Sequence, residues 1–198
     1  NVENISHNQD PNILNRFVST NQVSNQIILM IGNQTCSVSS ADYLPLKILE
    51  SYLSYGMSSL LFKLFREKNG LTYDVGVLNP LRKQNAPFLI YLSVANKNAL
   101  LTFEILFKLW QKLLSSLITD KEINLAKIKL KSSLLISNQT LDEILQRKIQ
   151  LIAYDLDPNF DIDCLAKIED INSEVILKIT NKYLSKPFLS IYGDEKIC

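Results

Sequence analysis

Apolar and polar positions follow two different periods along this chain, and the switches between them lay out its elements. The run "VSNQIILMIG", 23–32, is short, apolar and β-branched, and closes on Gly32; it reads as a strand entering a buried sheet. From about Asp42 to Tyr55 the period becomes helical. Leu46, Leu49 and Leu53 share a face that Ile48 and Tyr52 widen, with Ser40 or Asp42 as N-cap. Gly56 punctuates, and a second short helix is predicted over 58–68. Arg66 and Lys68 occupy its last turn, and Gly70 is a natural left-handed C′ residue. "LTYDVGVLN" then alternates as a strand does, with Leu71, Tyr73, Val75 and Val77 on one face and Thr72, Asp74 and Gly76 on the other. A polar connection over 80–87 leads to an antiparallel partner, "FLIYLSVAN", 88–96.

Helical periodicity dominates the C-terminal half of the chain. Over 98–117, Phe103, Leu106, Phe107, Trp110, Leu113, Leu114 and Leu117 are expected to face inward. Thr119 with Glu122, and Thr140 with Glu143, have capping-box spacing, so helices are expected to about Ser137 and Tyr154. Asp157-Pro158 breaks the chain. Helices near 161–167 and over 173–184 precede a last strand, 187–193. The fold class is therefore α+β: a two-layer domain, a mainly antiparallel sheet with helices packed on one face. Residues 1–21, rich in Asn, Gln and Ser, read as a linker or N-terminal arm. Residues 22–198 read as a single domain.

Composition adds exclusions. With 46% hydrophobic residues and 21% charged, the 198-residue chain suits one packed domain. A net charge of +1 argues against a broad nucleic-acid footprint or a polybasic membrane patch. The most apolar stretch, 99–118, carries Glu104, Lys108 and Lys112, which are costly in lipid, so no membrane span is expected. A start at Asn, with no signal-peptide pattern, is read as a fragment or processed product, and the compartment stays open.

The chemistry is sparse. The only histidine is His7, so a multi-histidine zinc site lacks its residues; a Ser-His-Asp or Cys-His system would have to use His7, which reads as a solvated tail residue. Cys36, Cys164 and Cys198 stand far apart and read as apolar or surface thiols. Phosphate-binding glycine motifs are absent. The carboxylate pairs Asp161/Asp163 and Glu169/Asp170 read as helix-flanking or solvated acids. Arg66 and Tyr73 remain. Arg66 either complements a helix C-terminus or offers a permanent fork of donors; Tyr73 is either a strand aromatic or a hydroxyl on a rigid arm.

The stretch "ILESYLSYGMSSLLFKLFREKNGLTYDVGV" resembles the second-domain signature of the pitrilysin- or insulinase-type zinc peptidases, the family of the mitochondrial processing peptidase. Gly56, Ser58, Ser59, Arg66, Glu67, Gly70, Leu71 and Tyr73 carry the likeness. Thr119, Glu122, Ala126 and Lys127, and the closing segment 168–194, extend it over about 22–194. Three positions depart: Ser54-Tyr55 stand where the family has Gly-Gly, and Leu60 stands where it has Arg. The resemblance implies the processing-peptidase-like fold and the metal-free, inactive member of a duplicated pair. On this implication the chain binds no cofactor. Zinc is expected on a partner domain with an H-x-x-E-H motif, in the same polypeptide or a separate subunit. Arg66 and Tyr73 are the implied substrate-binding, transition-state-supporting pair, with Gly70 making the turn that supports them. The implied ligand is a peptide. A scaffold or assembly subunit of the same fold, without peptidase work, is the alternative; a self-sufficient hydrolase would need zinc on this chain.

Overall fold

The structure, a computed structural model, describes residues 16–136 and 139–193, with the backbone alone at Tyr73. His7 and the rest of 1–15, and Cys198, lie outside the described residues. Strand β2 (Gln26–Gln34) holds the centre of a five-stranded sheet. It pairs antiparallel with β4 (Pro87–Ala95) on one side and with β5 (Phe188–Gly193) on the other. Strand β3 (Thr72–Leu78) adds antiparallel to β4, and β1 (Phe17–Asn21) adds parallel to β5. The spatial order is β1-β5-β2-β4-β3. Within the segment 1–21, expected as a linker or N-terminal arm, residues 17–21 form the edge strand β1. All five are exposed, so no buried face marks them in the sequence.

Strict alternation in β4 places Phe88, Ile90, Leu92 and Val94 on one face, each at most 2% exposed. Ile27, Leu29 and Ile31 of β2 join them there. Each such side chain contributes about 1.5–3 kcal/mol through removal from water. The backbones of β2 and β4 approach closely at Gly32, where a Cβ would stand 2.0 Å from the Phe88 carbonyl oxygen.

Among the described residues the α-helices are, in chain order, α1 (Tyr43–Ser54), α2 (Ala99–Ser115), α3 (Asp120–Ile136), α4 (Leu141–Ala153), α5 (Phe160–Lys167) and α6 (Ser173–Leu184). Helices α1, α2, α3 and α6 bury their apolar residues in the core over this sheet face. Polar ties fix the layers. The Ser51 hydroxyl donates to the Ala126 carbonyl at 2.8 Å, and the Trp110 indole donates to the Leu184 carbonyl at 3.1 Å. Asn33 of β2 donates to the Tyr183 carbonyl at 2.9 Å. Asp42 precedes α1 but makes no side-chain cap; its carboxylate instead accepts from Lys182 and Tyr183.

Helix α2 departs from its predicted face. Leu109 is buried, whereas Phe107 is 46% exposed and stacks on Phe103 at the margin, ring centroids 6.2 Å apart. Leu117 lies beyond the helix and is exposed. Among the described residues, no helix is long and apolar enough to cross a membrane.

Candidate functional site

The segment from Gly56 to Tyr73 is built around a turn of unusual pitch. The Ser59 amide donates to the Gly56 carbonyl at 3.0 Å, and the buried Ser59 hydroxyl accepts from the Phe62 amide at 3.4 Å. The backbone then widens into a π-helix, Phe62–Glu67. The Lys68 amide donates five residues back, to the Lys63 carbonyl, at 2.9 Å. Leu61 and Phe65 are fully buried and anchor this helix in the core, whereas Arg66 is exposed. The Arg66 guanidinium lies 5.2 Å from the centroid of the Phe62 ring, a cation–π contact one turn back. Among the described residues Arg66 makes no ion pair.

Gly70 ends the helix in the left-handed region, φ 58°, the conformation its place after the last turn predicts. Its amide donates to the Arg66 carbonyl at 3.1 Å, and the Leu71 amide donates to the Phe65 carbonyl at 2.8 Å. Leu71 is buried, so the chain enters β3 from a closed, anchored turn.

Strand β3 carries a bulge at its start. Thr72 pairs with Val94 but Asp74 pairs with Ser93, leaving Tyr73 as the extra residue between them. The Thr72 hydroxyl pins this irregularity. It accepts from the Asp74 amide at 3.2 Å and lies within reach of the Asp74 carbonyl, at 2.7 Å, and of the Ser93 carbonyl. Thr72 therefore sits buried on the helix-covered face with Val94, not on the face of Asp74 and Gly76 as uninterrupted alternation predicts. The Tyr73 side chain lies outside the described residues. Arg66 and the Tyr73 backbone thus stand at the two ends of one anchored turn.

A second polar constellation escaped sequence reasoning. Tyr43, Lys47, Tyr55, Arg147, Asp161 and Cys164 line a cavity of about 250 Å³ between the helices. Asp161 stands in the first turn of α5, as a helix-flanking acid does, but it is not solvated: Arg147 grips it with two bonds, at 2.7 and 2.6 Å. Lys47 donates to Glu50 at 2.7 Å, and Asn79 donates to the same carboxylate at 2.9 Å. Burial pushes the Cys164 thiol up to about 11 and raises Cys36 as well, which keeps both protonated and poorly nucleophilic. The charges lining this cavity answer one another, which suits a structural polar layer. Partners 14 residues apart on different helices leave no local signal. Glu169 likewise pairs with Lys127 and Lys131. Among the described residues, no group of three or more His, Cys, Asp or Glu is placed to hold a metal ion.

A family model described as "Peptidase M16 inactive domain" matches residues 3–130, well over half of the chain. The chain belongs to the M16 inactive-domain family. The M16 fold is equally plain among solved structures. The peptidase M16 inactive domain from Pseudomonas fluorescens is similar with a TM-score of 0.80 at 22% identity, over 90% of this chain and 43% of that one. A protease from Helicobacter pylori gives 0.78 at 18% identity, over 89% and 43%. A conserved protein from Enterococcus faecalis V583 gives 0.73 at 16% identity, over 98% and 45%. This M16 domain thus spans less than half the length of these structures, and at such identities the likeness shows the fold. No curated protein sequence matches it.

Proposed function

We propose that this chain is the substrate-holding, metal-free half of a zinc metallopeptidase, working with a catalytic H-x-x-E-H domain on the same polypeptide or a separate subunit. Among the described residues no donor set fits a zinc site, which supports placing the metal on that other domain. Arg66 and Tyr73 are the residues that reach the substrate. The observation that carries this reading is the anchored turn. Phe65 and Leu71 are fixed in the core, Gly70 makes the reversal, and the bulge at Tyr73 ends it, while Arg66 remains exposed. Bulges commonly re-aim a side chain beside an active site. An exposed guanidinium offers five donors and a tyrosine one hydroxyl, a combination able to hold a peptide carbonyl and stabilise its developing oxyanion. Extended peptides or small unfolded proteins are the expected substrates, since they expose backbone carbonyls for such donors.

In the assembled protein, Arg66→Ala and Tyr73→Phe should each lower kcat/KM about 10²-fold or more with zinc content unchanged. Unchanged kcat/KM would make the pair structural. One observation favours a second reading, a scaffold subunit without peptidase work: the stacking of Arg66 on Phe62 already gives that cation a local role. An Arg66→Ala variant that loses stability but not activity would select it.

A further inference from the structure

Helix α4 carries more apolar surface than this domain covers. Leu151 is buried and Ile144 is half-buried against the body of the domain. Leu141, Leu145, Ile149 and Ile152 are instead 80%, 56%, 58% and 58% exposed. Their spacing is i, i+4, i+8 and i+11, which at 3.6 residues per turn forms one line, about 16 Å long, on a single face. Asp142 and Lys148 flank the line with charges of opposite sign, as an interface rim does. The helix is not free to roll this face inward. The Thr140–Glu143 capping box fixes its start, and the two-bond Arg147–Asp161 pair ties its middle to α5. A groove of about 270 Å³ lined by Leu135, Ile144 and Ile162 runs alongside. Four large aliphatics in a row on a pinned helix are the mark of a contact surface.

We infer that this face of α4 is the seam on which the rest of the same M16 protein docks, through an apolar face of its own. The similar solved structures supply the occupant. Each has more than half of its chain beyond the part this domain matches, so a body of comparable size accompanies the fold. The inference rests on the reading that this domain works beside a catalytic one, but it does not depend on Arg66 or Tyr73.

The test uses the whole protein with Ile149→Cys on the line, or Gln146→Cys on the exposed polar face of the same helix. Maleimide labelling at each site is followed by peptide mass spectrometry, which separates it from the native thiols. The seam predicts labelling at 149 at least 10-fold slower than at 146, unchanged by dilution. Equal rates would overturn it. So would protection at 149 that vanishes on dilution as the mass halves, which would assign the face to a second copy of the chain. Protection at 149 in a protein whose kcat/KM ignores Arg66→Ala would uphold the seam and refute the catalytic pair.

Discussion

The Leu71 amide donates to the Phe65 carbonyl at 2.8 Å, closing the turn whose two ends are Arg66 and Tyr73. Both bonded residues are buried, so the turn is held from inside the core. Geometry at an exposed arginine is thereby set by two apolar residues of the core.

Gly70 is the conformational hinge of that turn. Its φ of 58° is costly for a residue with a Cβ, yet a Cβ there would meet nothing within 4 Å. Gly70→Ala should therefore cost about 1 kcal/mol through backbone strain alone, and Gly70→Asn less, because Asn tolerates this region. Urea denaturation of the three forms measures it. Equal midpoints would mean that the turn relaxes.

Gly32→Ala tests a different constraint. The added methyl would stand 2.0 Å from the Phe88 carbonyl oxygen, a backbone atom that cannot swing away. Overpacking of this kind costs about 1–3 kcal/mol or more. The loss should exceed that at Gly70 and bring faster exchange of the β2 and β4 amides.

Much of this fold was legible because its signals are local. Gly70 follows a helix stop, and Thr140 with Glu143 forms the full capping box that their spacing predicts. Other features were not. A π-helix of six residues is too short to separate from an α-helix by period. The bulge at Tyr73 is invisible because alternation in the sequence continues through it; only pairing with Val94 and Ser93 reveals the extra residue. Strand β1 has no buried face, and Arg147 meets Asp161 only through the packing of α4 and α5.

Removing Glu50 should destabilise the domain through the cation it leaves behind. Lys47, with a side chain 17% exposed, ion-pairs with Glu50. Glu50→Ala leaves that ammonium without its carboxylate. The cost should be about 2–4 kcal/mol, less than for a fully buried pair because Lys47 keeps some water. Thermal unfolding of Glu50→Ala against Lys47→Met/Glu50→Leu checks the mechanism: the double substitution should recover much of the loss.

Acid should weaken the α3 cap. The Thr119 hydroxyl and amide, bonded to Glu122, hold its carboxyl below its ordinary value of 4.5. A carboxylate lowered in the folded state stabilises fully above the unfolded value and loses that contribution as pH falls through the folded one. Stability should fall below about pH 4.5, and Thr119→Val should flatten that fall. An identical pH profile in the variant would mean that the cap contributes nothing.

The decisive experiment is a kcat/KM cycle in the assembled, zinc-loaded protein with Arg66→Ala, Tyr73→Phe and both together. Each single change should lose about 10²-fold or more, with a double variant little worse than the poorer single because the two residues serve one carbonyl. Three variants with the parent kcat/KM and the parent zinc content would contradict a substrate-holding role for the pair.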